Sequence, residues 1–322
     1  MDIQWKPKAW LAILLGLFFQ PFVFLYVNQF KYFIRYCIGA LIIAVVDVFL
    51  HSNYFPFKSG NMAWLQHIYL SWLFIVICPI HGFIIARRYD ITQPRRWYAR
   101  WWIVLASYAL MMLPLIVLRG FFFEPFSIPA SSMKPTLAPG NHVLVSKYGF
   151  GNYRYLGFQL AKSTPSVTPA RGDILVFQYP ANPANPAIDY VKRVIGLPGD
   201  RIIYRDKTIF VQKACNVSRE ACAGLDSQYD LIDKTLLPEL STETQAVYQE
   251  SLDDIHYQVL LLRHQKELVD RYYVQENTLR GEWLVPAGQY FVLGDNRDNS
   301  VDSRYFGFIP QDLIIGKVIY IW

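Results

Sequence analysis

Two serines, Ser131 and Ser132, stand in a turn-forming stretch, IPASSMKPTLAPGNHVLV, that runs from Ile128 to Val145. A serine hydroxyl is a poor nucleophile until a base takes its proton, so this stretch does chemistry only if another part of the chain brings a base to it. Histidine is the usual base, yet residues 119–322 hold only His142, His256 and His264. His142 follows a Pro-Gly turn and reads as a strand-edge residue, and the other two fall in a segment of ambiguous structure. The other candidate is Lys192, in DYVKRVIGLPGD, residues 189–200. In a strand alternate residues share a face, which sets Lys192 with Tyr190 and Val194 and turns Val191, Arg193 and Ile195 to the other side. Burial among apolar neighbours without a counter-charge disfavours the ammonium and lowers its pKa, and a neutral amine is a general base. Taken by itself the stretch reads more often as an edge strand whose lysine reaches water. A Ser–Lys pair would need neither histidine nor metal.

A third stretch, GDNRDNSVDSR, resembles a solvated acidic turn or a calcium loop, but the EF-hand pattern fails at its third position, Arg297, and at its sixth, which is not glycine. Cys215 and Cys222, with six residues between them and no neighbouring His or Cys pair, read as a short-loop disulfide in an oxidising compartment rather than as zinc ligands. Cys37 and Cys78 lie inside apolar runs and read as packing residues. No G-x-G-x-x-G phosphate loop and no repeat is present. Neither a metal nor an organic cofactor is expected.

The elements that must position these residues divide the chain in two. Of the 322 residues 53% are hydrophobic and 17% charged, against about 25% charged in soluble domains. Residues 1–118 carry ten Lys and Arg against Asp2, Asp47 and Asp90, a net +7, which leaves 21 basic and 22 acidic residues for 119–322. The basic excess therefore belongs to the N-terminal part, and a nucleic-acid partner, which needs a basic stripe on the folded domain, is not expected. Tyr36–Leu50, interrupted by Asp47, then Ala63–Ala86 and Trp101–Leu118 are long enough, or nearly so, to cross about 30 Å of hydrocarbon. The intervening ARRYDITQPRRWYAR has five arginines in fifteen positions, which marks it as cytoplasmic and sends residues 119–322 to the far side. The first run, Ala9–Val27, is broken by Gln20-Pro21. A re-entrant hairpin there keeps Lys6, Lys8, Lys31 and Arg35 cytoplasmic, whereas a fourth span puts Lys6 and Lys8 outside. Three spans plus the hairpin is the preferred reading of a membrane domain over 1–118. A cleaved leader is not expected, because no small-residue cleavage site follows the first run.

From Val143 onward short β-like runs rich in Val, Ile, Tyr and Phe alternate with Gly, Pro, Asn and Asp turns. Residues 119–322 suffice for one mainly-β domain, with 201–285 as a peripheral β subdomain. Within it, residues 223–280 read either as helix by propensity or as a long hairpin with an acidic turn.

IPASSMKPTLAPGNHVLVSKYGFG, RGDILVFQYP, DYVKRVIGLPGD and YFVLGDNRDNSVDSRYFGFIP resemble, in order and spacing, the four sequence boxes of bacterial type I signal peptidases; the resemblance covers roughly 121–322. It implies a signal-peptidase/repressor-type β fold behind an α-helical membrane region, and a serine endopeptidase that removes signal peptides after A-x-A sites. By position, Ser132 would be the nucleophile and Lys192 the general base. Ser300 would orient the amine by a hydrogen bond, and an Asp302–Arg304 salt bridge would brace the wall behind it, with Asp295 and Arg297 fixing the turn. Phe126, Ile128, Met133, Leu137, Val176, Tyr190 and Val191 would line shallow apolar pockets for a substrate bound as an extended strand. The implied partners are exported preproteins, the lipid bilayer and the export translocon, and the implied place is the bacterial inner membrane with the catalytic domain periplasmic. Phe121, Phe122, Phe123 and Phe126 read equally as a membrane-interface collar and as strand core. Ala130 departs from the family pattern, which often has a hydroxyl there to bind the oxyanion; the Ser131 hydroxyl or a water is the expected substitute. A Ser–Lys repressor-type protein that cleaves itself, and a binding-only scaffold, are the competing classes.

Overall fold

The computed structural model describes residues 5–51, 69–155, 157–179, 188–214 and 229–322. The chain forms two compact units, Met1–Leu115 and Ile116–Trp322. Cys215 and Cys222, with most of the Asn-Pro connection at 180–187, lie outside the described residues.

The N-terminal unit is helical, and among the described residues four stretches are long and apolar enough to cross a membrane: Ala9–Tyr26, Phe30–His51, Leu70–Arg87 and Trp101–Phe122. Their outer faces are apolar, with Leu41, Val48 and Leu110 exposed, the pattern of helices solvated by hydrocarbon rather than water. The first stretch is not straight. Helix Ala9–Phe19 ends at Gln20 (φ +40°), a 3-10 turn spans Gln20–Phe22, and a short helix runs over Val23–Tyr26. A straight helix would set Lys8 and Tyr26 about 27 Å apart, yet the Lys8 N–H donates to the Tyr26 hydroxyl at 2.8 Å. The chain has doubled back. Trp5 packs edge-on against Tyr26 and Tyr89, the Arg95 guanidinium lies 4.4 Å over the Trp5 ring, and the Asn28 amide donates to Tyr89 Oη at 2.8 Å and Pro94 O at 3.2 Å. Both ends of the hairpin therefore meet at the arginine-rich loop. Gly16 permits the close packing beneath it, because a Cβ there would stand 2.5 Å from Pro79 Cα. Asp47, the one acid in its helix, accepts the Leu70 and Ser71 N–H groups at 2.8 and 3.0 Å and so caps the start of the next helix.

The C-terminal unit is built on a seven-stranded sheet in the order Phe123–Ser127, His142–Ser146, Ile314–Ile321, Ile174–Tyr179, Ile188–Gly196, Gln289–Leu293, Ile309–Pro310. The run Ile174-Leu175-Val176-Phe177 is buried throughout because both faces of the sheet are covered. Ile174 and Val176 enter one core with Ile128, Met133 and Leu137, and Leu175 and Phe177 enter another with Val194 and Tyr290.

Two further sheets come from 201–284. One has the order Glu282–Leu284, Arg201–Arg205, Thr208–Gln212, Asp230–Leu231, and the other Asp233–Leu236, Gln245–Leu252, Ile255–Leu262. The ambiguous segment thus folds as strands over much of its length, with a hairpin turning at Asp253 (φ +53°) between the paired Leu252 and Ile255. The helical alternative fails there because Leu252, Tyr257, Val259 and the alternating Ile202, Tyr204, Ile209 and Val211 share one core with Trp283.

Candidate active site

Ser132 is held by a turn whose apolar members are sunk beneath it. Ile128, Met133 and Leu137 are buried, the Ile128 N–H donates to Asn141 O at 2.9 Å and the Leu137 N–H to Met133 O at 2.8 Å. Residues 295–299 stitch the turn from its other side. The Asn296 N–H donates to Ser132 O at 3.0 Å, its side-chain amide to Ser131 O at 3.1 Å, and the Asn299 amide to Ser131 Oγ at 3.1 Å. The Ser132 N–H donates to no acceptor among the described residues and remains available to a ligand.

Lys192 pairs with Leu175 on one side and directly precedes Arg193–Gly196, which pair with Phe291–Leu293 on the other, and its burial rules out a lysine reaching water. The side chain is 2% exposed. Its amine lies 2.7 Å from Ser132 Oγ and 3.1 Å from Val191 O. Burial lowers its pKa to about 8, partly opposed by the charges of Asp302 and Asp295 and aided by Arg304. A substantial share of the amine is therefore neutral at mildly alkaline pH and in contact with a hydroxyl.

Buried ion pairs frame the two residues. Arg304 forks onto Asp302, Nε to Oδ1 and Nη2 to Oδ2 both at 2.9 Å, and the Gly294 N–H adds a bond to Oδ2 at 3.0 Å. Burial would raise the Asp302 pKa, but the Arg304 charge and these hydrogen bonds outweigh it and hold the carboxyl below its usual value. Asp295 takes a fork from Arg193 at 2.8 and 2.7 Å and a hydrogen bond from Thr136 Oγ1. Arg297 forks onto Glu250 of the three-stranded sheet. Asp295 and Arg297 are thus each held in a buried ion pair, and of their partners only Glu250 lies outside the quoted boxes.

Ser300 is adjacent but differently engaged than the resemblance implies. Its buried hydroxyl makes no hydrogen bond among the described residues, and the amine is directed at Ser132 Oγ and Val191 O instead. Ser300 packs against Gly294, where a Cβ would come 2.2 Å from its Oγ and 2.5 Å from Ser132 O, so glycine is required by that approach.

A cleft of about 440 Å³ opens over the pair. Phe126, Ile128, Met133, Val176, Tyr190 and Val191 line it with Ser132 and Lys192. Leu137 does not: it is fully buried in the core beneath the turn, packed with Val143, Val145 and Ile315. Ser131 is also absent from the lining, and its Oγ accepts from the Asn299 amide at 3.1 Å, so the side chain sits outside the cleft where the oxyanion donor missing at Ala130 would be needed. Ile188, Asp189 and Val301 line the cleft as well; alternation offered a signal for Ile188, two before Tyr190, and for Asp189, two before Val191, but none for Val301. Among the described residues no cluster of His, Cys, Asp and Glu has metal-binding geometry.

The sequence pattern of the family "Signal peptidase, peptidase S26" matches residues 99–322. The chain is 37% identical over 236 residues to Signal peptidase I of Buchnera aphidicola subsp. Acyrthosiphon pisum, covering 68% of this chain and 74% of that one. It is 37% identical over 229 residues to Signal peptidase I of Pseudomonas fluorescens, covering 67% and 70%. The chain belongs to the signal peptidase family. It is therefore a peptidase, with apolar N-terminal helices followed by a mainly-β unit. Residues 1–98 precede the stretch matched to the signal peptidase family, which begins just before the helix Trp101–Val117 and takes in the whole β unit, the cleft included.

Proposed function

We propose that this member of the signal peptidase family is a membrane-anchored endopeptidase that removes N-terminal signal peptides from exported preproteins, with Ser132 as nucleophile and Lys192 as general base. The observation that carries the reading is an amine 2% exposed standing 2.7 Å from a serine hydroxyl at the floor of an apolar cleft. Neutral Lys192 takes the Ser132 proton as Oγ attacks the scissile carbonyl. The resulting oxyanion accepts the Ser132 N–H, and the ammonium returns its proton to the departing amine. Lys192, neutral again, deprotonates the water that hydrolyses the acyl-enzyme. The Asp302–Arg304 pair keeps a carboxylate near the base without presenting it a free negative charge.

An extended substrate laid along the cleft would place small side chains against Ile128, Met133 and Val191, which suits A-x-A sites and disfavours branched residues. The doubled-back 9–26 segment supports an anchor of three spans plus a re-entrant hairpin, with the N-terminus and the arginine loop cytoplasmic and the catalytic unit periplasmic. The test is cleavage of a purified preprotein by detergent-extracted enzyme. Ser132→Ala and Lys192→Ala are each expected to abolish cleavage after A-x-A, and retention of activity in either would refute the assignment.

A further inference from the structure

The two sheets built from 201–284 contribute no residue to the cleft, yet they hold the turn that carries its back wall. Glu250, in the strand Gln245–Leu252, is 1% exposed, as is its partner Arg297, and the guanidinium forks onto the carboxylate, with Nη1 2.6 Å from Oε1. Arg297 opens the short turn Arg297–Asn299, and its carbonyl accepts from Arg304 Nη2. Arg304 in turn holds Asp302, and Asp302 holds the Gly294 N–H beside Ser132 O. Three parallel grips act on the same turn. Leu260 N–H donates to Asp295 O at 2.8 Å, Leu262 N–H to Asp298 Oδ2 at 2.7 Å, and Lys207 Nζ pairs with Asp298 at 2.7 Å. Residues 294–302 have little regular structure beyond that one turn, so outside partners set their position.

We infer that Glu250 is a positioning residue for the Ser132–Lys192 reaction, fixing through Arg297 the turn that orients Ser132 and closes the wall behind the lysine amine. This inference rests on the Ser–Lys reading above. Removing one member of a buried pair leaves the other uncompensated, whereas removing both is far better tolerated.

The experiment uses the full detergent-extracted enzyme and a purified preprotein. Glu250→Gln is expected to lower kcat at least about tenfold through lost alignment, with KM within about twofold because the cleft is untouched. The acid limb of its pH profile moves to higher pH as water reaches the amine. Glu250→Leu combined with Arg297→Met, which removes the fork without leaving an unpaired charge, is expected to keep the low kcat of the single variant. A folded Glu250→Gln enzyme with the wild-type kcat and pH profile overturns the inference, as does a double variant restored to the wild-type kcat, which would trace the loss to an uncompensated charge rather than to positioning. If Glu250→Gln does not fold, Glu250→Asp, which keeps the charge but shortens the reach, takes its place. An intermediate kcat with the same displaced limb supports the inference, and wild-type behaviour overturns it. Lys192→Met, run in parallel, separates the two readings: activity retained there refutes the Ser–Lys reading itself, whereas activity lost there but untouched by Glu250→Gln refutes only the role of Glu250.

Discussion

The burial that makes Lys192 a base also carries a stability cost. Its pKa is lowered to about 8 from 10.5, so between those values the folded state binds fewer protons than the unfolded state. Stability then rises with pH through that window, and below about pH 8 the whole penalty, about 3 kcal/mol, is present. Lys192→Met keeps the volume and removes the charge. At pH 7 it should raise the Tm by several degrees while abolishing cleavage, and an unchanged or lower Tm in thermal denaturation would contradict the buried-amine description. At Ala130, which lines the cleft without a hydroxyl, Ala130→Ser should add an oxyanion donor and raise kcat about tenfold, since one such donor elsewhere is worth about 10²–10³. Ser131→Ala should leave kcat within about twofold, because its Oγ faces Asn299; single-turnover cleavage measures both. Residue types alone leave Ser131 and Ser132 open and read Lys192 as an edge-strand lysine; the resemblance to the signal peptidase boxes is what singles out Ser132 and Lys192. The partners of Arg297 and Asp295 could not be named either way: Glu250 is 47 positions from Arg297, and Arg193 is 102 from Asp295. Nothing in a local pattern specifies which buried charge will meet which.

At the scale of elements, alternation correctly predicted which face Lys192 shares with Tyr190, whose ring lies 5.4 Å from the amine. What it could not supply was whether the strand lay inside the sheet or at its edge, since that depends on the distant segments Ile174–Tyr179 and Gln289–Leu293. The same limit explains Gln245–Leu262. Its Glu and Gln content is compatible with helix, and the decision came from core partners elsewhere in the chain. Leu137 was misplaced for a related reason, because a turn has no fixed period that separates inward from outward positions. Its true place has a consequence: Leu137→Ala should lower stability by about 2–5 kcal/mol with KM unchanged. A denaturant midpoint and a Michaelis curve on the same preparation would distinguish that from a role in substrate binding.

For the whole molecule, charge asymmetry alone separated a basic apolar part from a nearly neutral β part, and the observed units, Met1–Leu115 and Ile116–Trp322, divide within the last apolar helix. Length and composition left open whether residues 9–26 cross a membrane. The contact between Lys8 and Tyr26 favours a hairpin that enters and leaves on one side. Reporter fusions at the N-terminus and within 88–100 should therefore both report the cytoplasm, and one at the C-terminus the opposite compartment; an external N-terminus would refute the hairpin anchor. The most direct measurement for the catalytic assignment is the pH dependence of kcat/KM for preprotein cleavage by the unmodified enzyme, which reports the free enzyme's base. With Lys192 neutral as the active form, the rate should rise with pH along an acid limb centred near 8. A limb near the ordinary lysine value, or a profile flat from pH 6 to about 10, would contradict it.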